Sequence, residues 1–389
     1  MAKPNDLRAL IELSKTTQTL LPHYQSSLAP SAANATSSEP QAFSTDLPNP
    51  LDVVKACTTL LKSHTTTLSL LLITPPLTPS ALITKIGDVS SGVLSGMVAA
   101  AASTPRSGQR DELGSLMRGE LRAQVRRVIG TWGEVLSLVL RFAERRQSLQ
   151  GNGSAKGKTK DEGPTESEKQ DVLAATGMVW EACDALLKLC GDGVAGLVVK
   201  KAEEWRSVLL DALEELKEWG EDVEDSDDEA KGSDAEDGGF GDEDDIFGAA
   251  NKIGKGDKEL KALLDTSVNK LKKMGMLYQA LSKRRLKTFP GTSPGATAPT
   301  AANGETGGGH PDPMTKLDGL MVSLRAIPES VDDLASAFYD LDEEEARQTL
   351  DRCCGEAKSA IALVKQSWAG KDDEFTAWSS KWVDALDAA

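Results

Sequence analysis

The stretch that decides the fold runs from Leu113 to Val139 and reads LGSLMRGELRAQVRRVIGTWGEVLSLV. Its apolar positions are Leu113, Met117, Leu121, Val125, Val128, Trp132, Val135 and Val139, at spacings of 4, 4, 4, 3, 4, 3 and 4. That is the narrow seam of a long bundle helix, predicted here from about Asp111 to Gln147. Arg118, Arg122, Arg126 and Arg127 fall on its other face, a row that either attracts an anionic partner or is simply solvated.

The same periodicity continues on both sides. Downstream, Val172 to Cys190 carries Thr176, Trp180, Cys183 and Leu187 on one stripe, and Val194 to Trp219 carries Leu197, Val198, Trp205, Leu209, Leu213 and Leu216. Upstream, Leu7, Leu10, Ile11, Leu13, Leu20 and Leu21 mark a first helix that Pro22 is expected to close. A second begins near Asp52, passes through Leu60, Leu61, Leu68 and Leu72, and stops at Thr74-Pro75-Pro76. Thr78 then reads as an N-cap with Pro79 at the first helical position. Leu82, Ile83, Ile86, Val89, Val93, Leu94 and Met97 line the inner face that follows, and Gly92, Gly96 and the alanines at 99–102 permit close helix approach. Short loops between long amphipathic helices imply up-and-down packing. Residues 1–220 are therefore expected to form one bundle of five or six helices, with flexible loops at 28–49 and 150–168.

The remainder divides by composition. Residues 221–257 are an acidic arm, expected to be disordered because too few apolar residues are present to offset the entropy of ordering. Residues 258–287 form a helix with Leu260, Leu264, Val268, Leu271, Met274, Tyr278 and Leu281 on one face. A low-complexity Gly/Pro/Thr linker spans 288–313. Residues 314–389 form a smaller helical unit: one helix before Pro328, another from Ser330 to Tyr339 capped by Ser330 with Asp333, then about 343–368 and 372–386. No segment alternates as a strand does, so the fold class is all-α.

Charge and cysteine usage narrow the functional classes. Between Glu221 and Asp245 stand fourteen Asp or Glu and one Lys, a net −13 of the chain's −16, leaving −3 for everything else. Such an anion is a poor direct ligand for nucleic acid. Aromatics make up 4% of the chain, yet seven of them are tryptophans, each within a helical pattern. Five scattered cysteines and no N-terminal signal peptide point to a reducing, intracellular compartment. The apolar runs Leu68–Ile73 and Val98–Ala102 are too short for a membrane span.

Catalytic raw material is thin. His23 follows a proline and His310 sits among glycines, and no C-x-x-C or H-x-x-x-H exists to hold zinc. Gly191-Asp192-Gly193-Val194-Ala195-Gly196 matches the dinucleotide fingerprint, but that motif needs a strand before it; here a helix precedes, so it reads as a glycine-rich turn between antiparallel helices. Cys183 and Cys190 read as core filling, and either Cys353 or Cys354 could be an exposed thiol. No catalytic, cofactor-binding or metal-ligating residue is singled out, and no cofactor is expected; the chain reads as a non-enzyme.

Three features point to interaction. Ser226 and Ser233 stand directly before carboxylates, the pattern of an acidophilic kinase, so the arm is either a solvated tether or a regulated docking segment for a basic partner. Asp244-Asp245-Ile246-Phe247-Gly248, acidic then apolar, resembles a short linear motif. Lys272-Lys273 and Lys283-Arg284-Arg285-Leu286-Lys287 have the spacing of a bipartite nuclear import signal, although positive charge at a helix end also complements the dipole.

Five segments together are similar to the cyclin-D-binding protein family, whose members also inhibit helix-loop-helix transcription factors. They are Thr66–Leu70 with Pro75–Pro79, Leu116–Gly119, Met178–Cys183, Asp244–Gly248, and Ile327–Ala335, the last containing Ser330-Val331-Asp332-Asp333-Leu334-Ala335. The resemblance implies an elongated bundle akin to vinculin and α-catenin, with no catalytic site and with residence in nucleus and cytoplasm. It also implies cell-cycle and transcriptional regulation through cyclin-type or helix-loop-helix protein partners. No residue-level binding site carries over. The bundle architecture alone would suit a cytoskeletal or adhesion-type scaffold instead, which is fold-level analogy.

Overall fold

The computed structural model describes residues 4–30, 49–105, 111–151, 163–225, 258–290 and 312–389. All regular structure among them is helical, as the periodicity requires. The chain divides into two compact units, Met1–Gly193 and Val194–Ala389.

The first unit contains α1 (Pro4–Ser27), α2 (Pro50–Ile73), α3 (Pro79–Asp88), α4 (Ser95–Ala102), α5 (Gly114–Gly151) and the first part of α6 (Glu166–Asp225). A π-helical turn, Val89–Leu94, joins α3 to α4 without a break in the helical path. Helix α1 lies along α5, and α2 packs on α4. Glycines set both approaches: a Cβ on Gly133 of α5 would stand 3.2 Å from Leu21, and one on Gly96 of α4 would stand 3.3 Å from Cys57 Sγ. The seam read on α5 is buried throughout, with Trp132 fully enclosed.

Helix ends follow local chemistry. Asn49 caps α2 by accepting the Leu51 amide at 2.9 Å, with Pro50 supplying a preset φ. Thr78 precedes α3 as expected, yet its hydroxyl makes no capping bond; its carbonyl accepts the Ala81 and Leu82 amides instead. Two expected stops are absent. Helix α1 continues past Pro22 to Ser27, and α8 (Pro313–Tyr339) runs through Pro328 as one helix, so Ser330 is a buried mid-helix residue and not a cap. An interior proline costs roughly 3 kcal/mol. Burial of Leu21 and Leu28 around one, and of Ile327, Val331 and Leu334 around the other, outweighs it.

The second unit holds the rest of α6, then α7 (Lys258–Leu281) with a π turn at Ser282–Leu286, α8, α9 (Glu343–Val364) and α10 (Glu374–Asp387). Helices α8 and α9 form an antiparallel pair around the turn Asp340-Leu341-Asp342, where Leu341 has φ 56°. Tyr278 of α7 donates its buried hydroxyl to the Leu324 carbonyl of α8.

The division between units differs from the expected one at 220. Helix α6 breaks at Gly193, whose φ of 62° and ψ of −164° no L-residue adopts readily. Beyond it, α6 packs with the C-terminal helices. Arg206 donates to the Gly275 carbonyl at 3.1 Å, and Trp219 stands 6.3 Å from Phe338 and 5.4 Å from Tyr339 between ring centres. The segments 258–287 and 314–389, read as separate pieces, share this core.

Candidate interaction surfaces

In the first unit the informative surface is built on α6. Its inward stripe is Val172, Ala175, Thr176, Val179, Ala182, Cys183 and Leu186. Trp180, placed inward by the sequence reading, is 39% exposed, beside Leu173 at 55%. Residues seven apart share a helical face, so these two apolar side chains stand on one side of α6. Lys62 of α2 reaches over the indole, 5.8 Å from its centre, and is held by Asp184 at 2.5 Å. Met178 is exposed on the opposite flank. Sequence did contain a signal for this. Met178 and Trp180 are two residues apart, about 200° around the helix, so both cannot face one core.

The arginine row on α5 is neither a free anionic-partner site nor merely solvated. Arg118 pairs with Asp111 at 2.5 Å and donates to the Ser103 carbonyl at 2.6 Å, while Arg122 donates to the Ala101 carbonyl, so both serve the open C-terminal end of α4. Arg127 pairs with Glu181 of α6. Arg126 alone of the four lies exposed without such a contact among the described residues.

In the second unit the six cations read as an import signal separate sharply. Lys272, Lys283 and Lys287 are exposed; Lys273 is half-buried and its carbonyl accepts the Trp382 indole N–H at 2.9 Å. Arg284 pairs with Glu374 at 2.9 Å. Arg285 is 2% exposed and fully engaged. Its guanidinium holds both carboxylate oxygens of Asp373, at 2.7 and 2.8 Å, donates to the Val364 and Lys365 carbonyls, and stacks 4.3 Å from the Phe375 ring centre. One side chain thus satisfies the end of α9 and the cap of α10 together. The hydrogen bonds from Arg285 hold the Asp373 carboxyl down at about 2. An open depression of about 650 Å³ lies alongside, lined by Lys316, Leu363, Gln366, Asp372 and Ser380.

The cysteines are thiols in packing roles. Burial pushes Cys183 and Cys353 up to about 12 and Cys190 to about 11. Cys354, like Cys353, is buried, so neither is the exposed thiol that sequence allowed. Gly191 lies within a helix and Gly193 breaks it, with no strand before either, so the dinucleotide geometry is absent there. Among the described residues no group of three His, Cys, Asp or Glu could hold a metal, and no helix is long and apolar enough to cross a membrane. Ser226, Ser233 and the motif Asp244, Asp245, Ile246 and Phe247 lie outside the described residues, as does His310.

Comparison with known proteins bears on the α2–α6 region. A family model described as Grap2 and cyclin-D-interacting, N-terminal, matches residues 53–222. Over those residues, fewer than half of the chain, the sequence is similar to the cyclin-D-interacting family. An uncharacterized protein of Schizosaccharomyces pombe is 25% identical over 338 residues, covering 86% of this chain and 84% of that protein. The Cyclin-D1-binding protein 1 homolog of Xenopus laevis is 26% identical over 338 residues, covering 83% and 80%. The family's span takes in Lys62, Leu173 and Trp180, so the exposed apolar side of α6 that they form lies inside the matched region.

Proposed function

We propose that this chain is a non-enzymatic interaction adaptor, a negative regulator in cell-cycle or transcriptional control that binds cyclin-type or helix-loop-helix proteins. The observation that carries the reading is the coincidence of the cyclin-D-interacting span with the exposed Leu173 and Trp180 on one side of α6. A partner helix laying its apolar face there would cover Trp180 and Leu173, with Lys62 and Asp184 as a charged rim. The matching family and the Xenopus laevis relative are both named for binding, which supports an adaptor over catalysis. Activity in both nucleus and cytoplasm belongs to the same proposal. Import through the Lys272–Lys287 cations would require the π turn to yield, since Arg285 is buried.

The test is calorimetric titration of the full chain with a D-type cyclin and, separately, with a helix-loop-helix dimer. Binding by either, weakened about thirtyfold by Trp180→Ala, is the expected result; that corresponds to a loss of roughly 2 kcal/mol, the scale of a buried aromatic anchor. No binding to either class, together with cosedimentation on actin filaments, would replace the regulator with a scaffold.

A further inference from the structure

Helix α7 exposes one main line of its surface and buries or half-buries the rest. The exposed residues are Lys258, Glu259, Ala262, Asp265, Asn269, Lys272, Met276, Gln279, Lys283 and Arg284 and, past the π turn, Lys287 and Thr288. Their three- and four-residue steps make one continuous ridge. It carries Lys258, Lys272, Lys283 and Lys287 against Glu259 and Asp265, both acids lying at its N-terminal end, and the exposed Met276 stands between Lys272 and Lys283. Several other cations of the unit, Arg325, Arg347, Arg352, Lys358 and Arg284, each hold a carboxylate, while Lys365, Lys371 and Lys381 stand exposed singly and away from this helix in sequence. Lys272, Lys283 and Lys287 hold none among the described residues.

We propose that this ridge docks the chain's own acidic segment, residues 224–247, with carboxylates along the lysines and Ile246 or Phe247 over Met276. Charge argues for it: residues 221–245 carry net −13, and no other segment approaches that density. Composition argues for it too, because the ridge alternates lysine with one apolar contact and Asp244-Asp245-Ile246-Phe247 is its complement in both respects. Connectivity permits it. Eleven Cα-to-Cα steps lead from Phe247 to Lys258, a reach of up to about 36–40 Å. Met276 lies eighteen residues along α7, about 27 Å. Tethering makes the encounter intramolecular, so weak ionic contacts suffice. Phosphate on Ser226 or Ser233 would add charge of the favourable sign.

The experiment is lysine acetylation footprinting of the full chain at low concentration, read by mass spectrometry with exposed Lys381 as internal control. The comparison protein has every Asp and Glu from 224 to 245 replaced by Asn or Gln, with helicity verified. Lys272, Lys283 and Lys287 should react at least threefold faster in the neutralised chain, and 1 M salt should raise the native rates likewise because exposed charges are screened. Phe247→Ser should release Lys272 and Lys283 in part. Equal rates in both chains would overturn the proposal, and protection that grows with protein concentration would assign the ridge to a second copy. No cyclin or helix-loop-helix protein enters the measurement, so its outcome is independent of the adaptor reading.

Discussion

Arg285 shows how much one side chain can organise. It is buried with its charge matched by Asp373 and its remaining donors directed at two carbonyls that α9 would otherwise leave open. Arg285→Lys should destabilise the second unit, because an ammonium cannot span both Asp373 oxygens and both carbonyls. Arg285→Met should cost about 3 kcal/mol; this is the lower end of the range for breaking a buried pair, since Asp373 is 37% exposed and water can solvate it. Urea unfolding measures both. The pH dependence has a definite sign. Asp373 titrates at about 2 in the folded chain and near 3.8 when unperturbed, so the unfolded state takes up the proton first as pH falls. The stability due to Asp373 is complete above about pH 4 and drains toward pH 2. The difference in urea midpoint between wild type and Asp373→Asn should therefore shrink across that window. Asp332 behaves oppositely: burial, then Asp333, Glu215 and Glu329, push its carboxyl up. Asp332→Asn should raise the thermal midpoint at pH 7, with the gain fading in acid.

At the scale of elements, the periodic stripes were legible and the neighbours were not. The α5 seam, the start of α3 at Pro79 and the end of α2 before Pro75 all follow from local chemistry that sequence displays. Pro22 and Pro328 misled because a proline's cost is local while the burial that outweighs it is tertiary. Trp180 misled because a large aromatic at helical spacing normally fills a core, whereas here its ring serves the edge between α2 and α6. Of the six cations read as an import signal, sequence did not separate exposed Lys272 and Lys283 from buried Arg285, whose burial depends on α9 and α10 meeting it from about 80 residues away. Gly193→Ala tests the break in α6. A side chain at φ 62° and ψ −164° carries strain on the order of 1–3 kcal/mol, so the variant should melt earlier by circular dichroism.

For the whole molecule, the boundary at Gly193 makes the sharpest prediction. A fragment Val194–Ala389 should unfold in one cooperative transition, because it retains Arg206 on Gly275 and Trp219 between Phe338 and Tyr339. A fragment cut at 221, where composition placed the edge, loses that helix and should lack a sharp melt. Residues 1–193 should fold without 194–220. Differential scanning calorimetry of the three fragments decides between the boundaries. The family model's span ends at 222, inside the second unit, so the matched region and the compact unit have different limits in this chain.

The seven tryptophans fall two in the first unit and five in the second. Trp132 is sealed from water while Trp180 meets it, so the first unit emits as one blue and one red-shifted fluorophore. Replacing Trp180 with phenylalanine leaves Trp132 as that unit's sole intrinsic lamp. Quenching of the red component by an added protein would report occupancy of the α6 face optically, with no label attached.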